Sequence, residues 1–134
     1  MWSKSFAVIF HLGIAGVLGS TGVHAQSGQR IALKSGESVE LHSIYWVMNC
    51  RSTMVGIPEI EVLEGPPEVT LAIKEGMVLP RNQNCANRVP GGTLVAKAKD
   101  VKEPMDAKLT YRVKYKTKDG DRQTSRVYDV SLFP

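Results

Sequence analysis

Between residues 108 and 116 the side chains alternate without a slip. Leu109, Tyr111, Val113 and Tyr115 are apolar, and Lys108, Thr110, Arg112, Lys114 and Lys116 separate and flank them. A period of two puts one set on each face of a pleated strand, whereas a helix would scatter both sets around its circumference. The segment is therefore a half-buried strand with a core face and a cationic, solvated face. Asp119-Gly120 follows, a dipeptide that favours a tight hairpin turn, and residues 122–133 are the expected return strand. A two-residue turn centred there sets an expected register: Leu109 opposite Val130 and Tyr111 opposite Tyr128 inside, Thr110 opposite Asp129 and Lys108 opposite Ser131 outside.

Shorter segments repeat the pattern. Ile60 and Val62 alternate with Glu59 and Glu61 until Gly65-Pro66-Pro67 ends the run. Val69, Leu71 and Ile73 alternate with Thr70, Ala72 and Lys74, and Glu75-Gly76 is expected to turn the chain. Leu94, Ala96 and Ala98 face inward, with Lys97 and Lys99 outward. Val39 and Leu41 alternate with Glu40 and His42, after which the apolar phase slips to Ile44, Trp46 and Met48, which predicts a bulge near Ser43. With a weak strand at Ile31–Leu33 the count is about seven, no helical period appears after residue 25, and the fold class expected is an all-β antiparallel sandwich.

Within that frame, Asp106-Ala107-Lys108-Leu109-Thr110-Tyr111-Arg112-Val113 resembles the start of the penultimate strand of immunoglobulin-like domains. The resemblance implies an immunoglobulin-like β-sandwich in which the Tyr111 hydroxyl bonds back to the preceding corner. Val113 stands where that family carries a strand-to-strand cysteine, so Cys50 and Cys85 do not form its usual bridge. A resemblance of this kind implies a fold and no function.

The N-terminus adds a compartment. Lys4 is followed by a mostly apolar stretch at residues 6–18 and by Val23-His24-Ala25, the order of a secretory signal peptide with cleavage expected before Gln26. As a helix that stretch would reach about 20 Å, short of the about 30 Å of a bilayer's hydrocarbon core. The expected product is one domain, residues 26–134, periplasmic or secreted, without a transmembrane span. In an oxidising compartment its two cysteines, Cys50 and Cys85, are expected to pair and to close a loop that stabilises the fold by about 3–4 kcal/mol.

Chemistry that would select a reaction is sparse. Of the three histidines only His42 lies beyond residue 25. It reads as an exposed strand residue, with no nucleophile motif to serve. Glu59 and Glu61 fall about 7 Å apart along one strand face, a spacing that any alternating polar face produces. No metal set, cofactor loop or catalytic residue is assigned, and the chain is expected not to be an enzyme. Two surfaces stand out for binding. The long loop at residues 80–92, pinned by Cys85 to Cys50, brings Arg51, Arg81, Asn82, Gln83, Asn84 and Arg88 together. The second surface is the cationic face of Lys108, Arg112, Lys114 and Lys116, with Lys97 and Lys99 beside it. Residues 59–68 carry four glutamates and no base, while residues 94–118 carry eight bases against three acids. Partners of an exported basic face would be an extracytoplasmic protein or an anionic component of the cell envelope. Nucleic acid is disfavoured, because no outward aromatic residues are interleaved with the bases. A small exported binding module is the function expected, with inhibition of an extracytoplasmic hydrolase as the alternative.

Overall fold

The alternating segment runs through the middle of β8 (Met105–Thr117), the central strand of the computed structural model, which describes residues 29–81 and 84–134. The leader and cleavage site expected from sequence, together with Asn82 and Gln83, lie outside the described residues. Before β8 come β1 (Gln29–Lys34), β2 (Ser38–Ile44), β3 (Val47–Met48), β4 (Arg51–Ser52), β5 (Glu59–Glu64), β6 (Val69–Val78) and β7 (Val89–Ala98), and after it β9 (Gly120–Phe133). The described residues form strands and connections, with no helix. Seven strands are long. The remaining two, β3 and β4, are two-residue arms of a hairpin, which brings the total to nine rather than about seven.

Two sheets face each other, ordered β1-β9-β8-β5 and β2-β7-β6. Their inner faces supply one core: Leu109, Tyr111, Val113, Tyr128, Val130 and Leu132 from the first meet Ile44, Leu94, Ala96 and Ala98 from the second, with Leu33 from β1. Period-two burial is clean on β8 and β7, as the alternation requires. The sheet is not wholly antiparallel, because β1 and β9, the first and last strands, pair in parallel from Gln29↔Tyr128 to Lys34↔Phe133. Side-chain alternation reports which face a residue takes and nothing about the direction of its neighbour, so this pairing has no sequence signature.

Three other expectations are corrected. In the β8–β9 hairpin Leu109 pairs with Tyr128, Tyr111 with Arg126, Thr110 with Val127 and Lys108 with Asp129. The register is displaced by two residues, because the turn residues are Lys118 and Asp119 and the strands close at Thr117↔Gly120. Gly120 alone in this turn has positive φ, +111°, whereas a type I′ turn centred on Asp119-Gly120 needs it at both positions. Thr117 holds the turn, its Oγ1 donating to the Gly120 carbonyl (2.7 Å) and accepting from the Asp119 amide (3.2 Å). A displacement of two leaves every residue on its own face, so the hydrophobic pattern cannot detect it. Next, β6 does not turn at Glu75-Gly76 but continues to Val78, pairing Gly76 with Gly91. Finally, residues 89–92, expected in the loop, open β7. Glycine is needed there: a Cβ on Gly91 would meet the Ile44 carbonyl of β2, and one on Gly92 would lie 2.8 Å from the Lys74 carbonyl of β6.

Candidate functional site

The site begins with one extra residue in β2. Pairing with β7 shifts between Glu40 and His42, leaving Leu41 as a bulge two residues before the expected position at Ser43. Val39 and Ala96 still pair on the inner face. Past the bulge, His42 pairs with Leu94 and Ile44 with Gly92, so His42 now takes the inner side together with buried Ile44. This overturns the exposed histidine expected from sequence, since one inserted residue exchanges the two faces.

His42 meets Tyr111 of the opposite sheet. Its Nε2 lies 2.6 Å from the Tyr111 hydroxyl and its Nδ1 3.0 Å from the Ser43 carbonyl. A carbonyl only accepts, so Nδ1 carries the proton and Nε2 receives the tyrosine's. Burial lowers the His42 pKa below 6.5 and Arg126 lowers it further, against the Ser43 bond, which raises it. The same burial pushes the Tyr111 hydroxyl well above its ordinary value, with Tyr128 adding to the effect. The rings of His42, Tyr111 and Tyr128 form a near-parallel series with centroids 6.0 and 6.1 Å apart. The Tyr111 hydroxyl thus joins the two sheets, where the immunoglobulin-like resemblance implied a bond to the preceding corner.

Around this latch two clefts of 420 and 310 Å³ share His42, Ser43, Tyr45 and Arg126. One extends to Glu40, Leu79, Arg81 and Thr93, the other to Trp46, Tyr115 and Thr124. They lie between the end of β2 and the first half of β9. From Gln29 onward β1 pairs with Tyr128 to Phe133 of β9. Arg126 occupies a core-side position in β9, between Tyr128 and Thr124 and opposite Tyr111. It is exposed to the cleft, and the ion pairs found among the described residues belong to Glu61, leaving Arg126 without a carboxylate partner. Trp46 and Tyr115 pack at 5.1 Å with a 51° tilt.

The rim is braced by the disulfide. Cys50 and Cys85 are joined as the sequence suggests, with a Cα–Cα distance of 5.4 Å. Asn49 and Cys50, with φ of 50° and 61°, are the two central residues of the β3–β4 hairpin, the double left-handed geometry of a type I′ turn. Val47, Val78 and Val89 make a second small core against Tyr45, whose hydroxyl accepts from the Arg81 amide at 3.3 Å. Of the loop residues named from sequence, Arg81 lines the cleft. Arg51, Asn84 and Arg88 are exposed and outside its lining.

The cationic face is arranged differently from its appearance in sequence. Across strand pairings Lys108 faces Asp129, Lys116 faces Asp121, Arg112 faces Glu61 and Lys114 faces Glu59. Lys114 Nζ lies 2.7 Å from Glu61 Oε2 and Arg112 3.7 Å from it. The bond from Lys114 draws the Glu61 pKa down, and Glu61 in turn raises that of Lys114. Glu59 and Glu61 of the acidic run are thus interleaved with Arg112 and Lys114 of the basic run on one sheet face, whereas Lys97 stands on β7 of the opposite sheet.

Sequence reasoning passed over His42, Tyr45, Trp46, Tyr115, Thr124 and Arg126 as a site. Two signals were present. The apolar phase slips next to His42, the only histidine beyond residue 25, and Arg126 is a charged residue at an inward parity of β9. No protein family, curated protein or solved structure matches the chain.

Proposed function

We propose that this chain is a small exported binding module of the periplasm or cell exterior, and that the cleft between β2 and β9 is where it recognises an anionic ligand. The observation that carries the reading is Arg126: a guanidinium on the core side of a strand, facing aromatic walls and without an ion-pair partner among the described residues. Carboxylates and phosphates are the groups that its planar fork complements. A rim held by a disulfide and a second small core is ordered before binding, which lowers the entropy lost on association. His42 fits a structural part in such a module, because both ring nitrogens are engaged and its charged form is disfavoured. Export itself rests on the leader-like N-terminus, and the disulfide is in keeping with an oxidising compartment. Among the described residues no helix is long and apolar enough to cross a membrane.

The test is retrieval of a partner from the cell envelope by the tagged chain. Arg81→Ala with Arg126→Ala should abolish retrieval, and Arg51→Ala with Arg88→Ala should leave it intact. Retrieval indifferent to the cleft pair sinks the reading. A retrieved hydrolase that loses activity stoichiometrically selects the inhibitor form of the same module.

A further inference from the structure

Building on the reading of the cleft as the recognition site, we infer that its ligand is an acidic saccharide, a uronic-acid unit whose carboxylate is held by Arg126 and Arg81 and whose ring lies against Tyr45 and Trp46. Charge sets the first requirement. Two arginines line the joined clefts against one acid, Glu40, and neither arginine has an ion-pair partner among the described residues. A carboxylate matches the guanidinium fork in shape as well as sign.

The remaining lining sets the second requirement. Ser43 and Thr93 supply hydroxyls to the lining, while Tyr45 and Trp46 supply ring surface. A sugar ring is the ligand that offers both a polyol edge for the hydroxyls and an apolar C–H face for the rings. The clefts, 420 and 310 Å³, fall in the range of small-ligand sites and adjoin at His42, Ser43, Tyr45 and Arg126.

Backbone geometry argues against the other extended anion, an acidic peptide added as a strand. β2 presents a bulge at Leu41 to this side, and β9 places Arg126 at an inward position, two devices that discourage edge pairing. Recognition therefore falls to side chains.

The experiment is a titration of trigalacturonate into the isotope-labelled exported protein, followed by NMR. Saturable shifts are expected at His42, Ser43, Thr124 and the Trp46 indole. Arg126→Gln and Arg81→Gln should each weaken binding by about tenfold or more. Arg126→Lys, which keeps the charge and loses the fork, should fall between, and Arg88→Gln should bind as wild type. Thermal melts of the four variants should match wild type, since the altered side chains are exposed. Maltotriose, of the same size without carboxylates, should not bind, and equal binding overturns the carboxylate assignment. Preferential binding of tetraglutamate overturns the saccharide. Absence of binding by trigalacturonate also overturns it. If envelope retrieval still depends on Arg126 in that case, the recognition cleft stands and the ligand class alone has failed; if it does not, both have.

Discussion

Replacing Tyr111 by Phe tests the junction between the two sheets. The ring of Tyr111 is fully buried, so Phe keeps its packing and removes one oxygen. That oxygen donates to His42 Nε2 at 2.6 Å, a side-chain hydrogen bond that links β2 to β8 across the core. Loss of a neutral hydrogen bond costs about 0.5–1.5 kcal/mol, and a buried orphaned acceptor raises the cost to about 1–3 kcal/mol. His42 borders a cleft that admits water, which places the expected loss near the middle, about 1–2 kcal/mol at pH 7.5. Urea unfolding of Tyr111→Phe beside wild type measures it, and a difference below about 0.3 kcal/mol would refute the latch. The pH profile gives an independent readout. His42 is the only histidine beyond residue 25, and its folded pKa lies below 6.5. Between those two values the unfolded chain binds a proton that the folded chain refuses. The stability contributed by neutral His42 is therefore complete above pH 6.5 and is lost as pH falls towards the folded value. Glu61 acts in a lower window, because its folded pKa is below 4.5 and its contribution is lost only as pH falls beneath that. A decline starting below pH 6.5 in wild type and absent in His42→Leu is the expected result. A wild-type profile flat from pH 7 to 5 would refute the reasoning.

Three further outcomes are expected. Cys50→Ser with Cys85→Ser opens a loop with a sequence separation of 35 residues and should lower stability by about 3–4 kcal/mol in chemical denaturation, with wild-type stability counting against the chain-entropy argument. Gly92→Ala places a Cβ 2.8 Å from both the Lys74 carbonyl and the Ile73 side chain, and should cost about 1–3 kcal/mol by overpacking; an unchanged melting curve would mean that β6 and β7 yield more readily than their pairing suggests. Mass spectrometry of exported material should find Gln26 as the first residue, and retention of Met1 would remove the leader assignment.

What was legible in the sequence was periodic. The faces of β6, β7 and β8 follow from alternation alone, and Leu94, Ala96, Ala98, Leu109 and Val113 are buried where that alternation put them. The Cys50–Cys85 bridge was legible because no other cysteine competes. Information that alternation does not contain was missed. It does not distinguish a hairpin turn at Lys118-Asp119 from one at Asp119-Gly120, since both keep Tyr111 inside. It does not give the direction of β1 relative to β9. It reports a phase slip near His42 without saying which residue is extra, and a displacement from Ser43 to Leu41 decides whether His42 faces water or Tyr111. The candidate site lies at that one ambiguity.

The charge pattern shows how linear reading can direct attention to the wrong surface. Eight bases in residues 94–118 look like a field waiting for an anion. Folding brings β5 alongside β8, so that Glu59 and Glu61 lie across from Lys114 and Arg112, and Asp121 and Asp129 of β9 lie across from Lys116 and Lys108. Opposed charges at short range cancel at any distance from which a ligand could sense them, and salt weakens what remains. Arg126 contributes one charge, placed where no acid among the described residues forms an ion pair with it, in a concave site with ring walls and a braced rim. A charge held in a concave site outweighs a stripe of balanced ones, because the low-dielectric walls of a cleft focus its field lines. The same geometry explains why a bulge, an arginine at an inward position of β9 and a disulfide-held hairpin occur together. The bulge turns His42 inward to tie the sheets, the parity of β9 turns Arg126 to the core side, and beside the hairpin the Arg81 amide donates to the Tyr45 hydroxyl. Removing any one of the three should therefore disturb the cleft more than it disturbs the core of β7, β8 and β9.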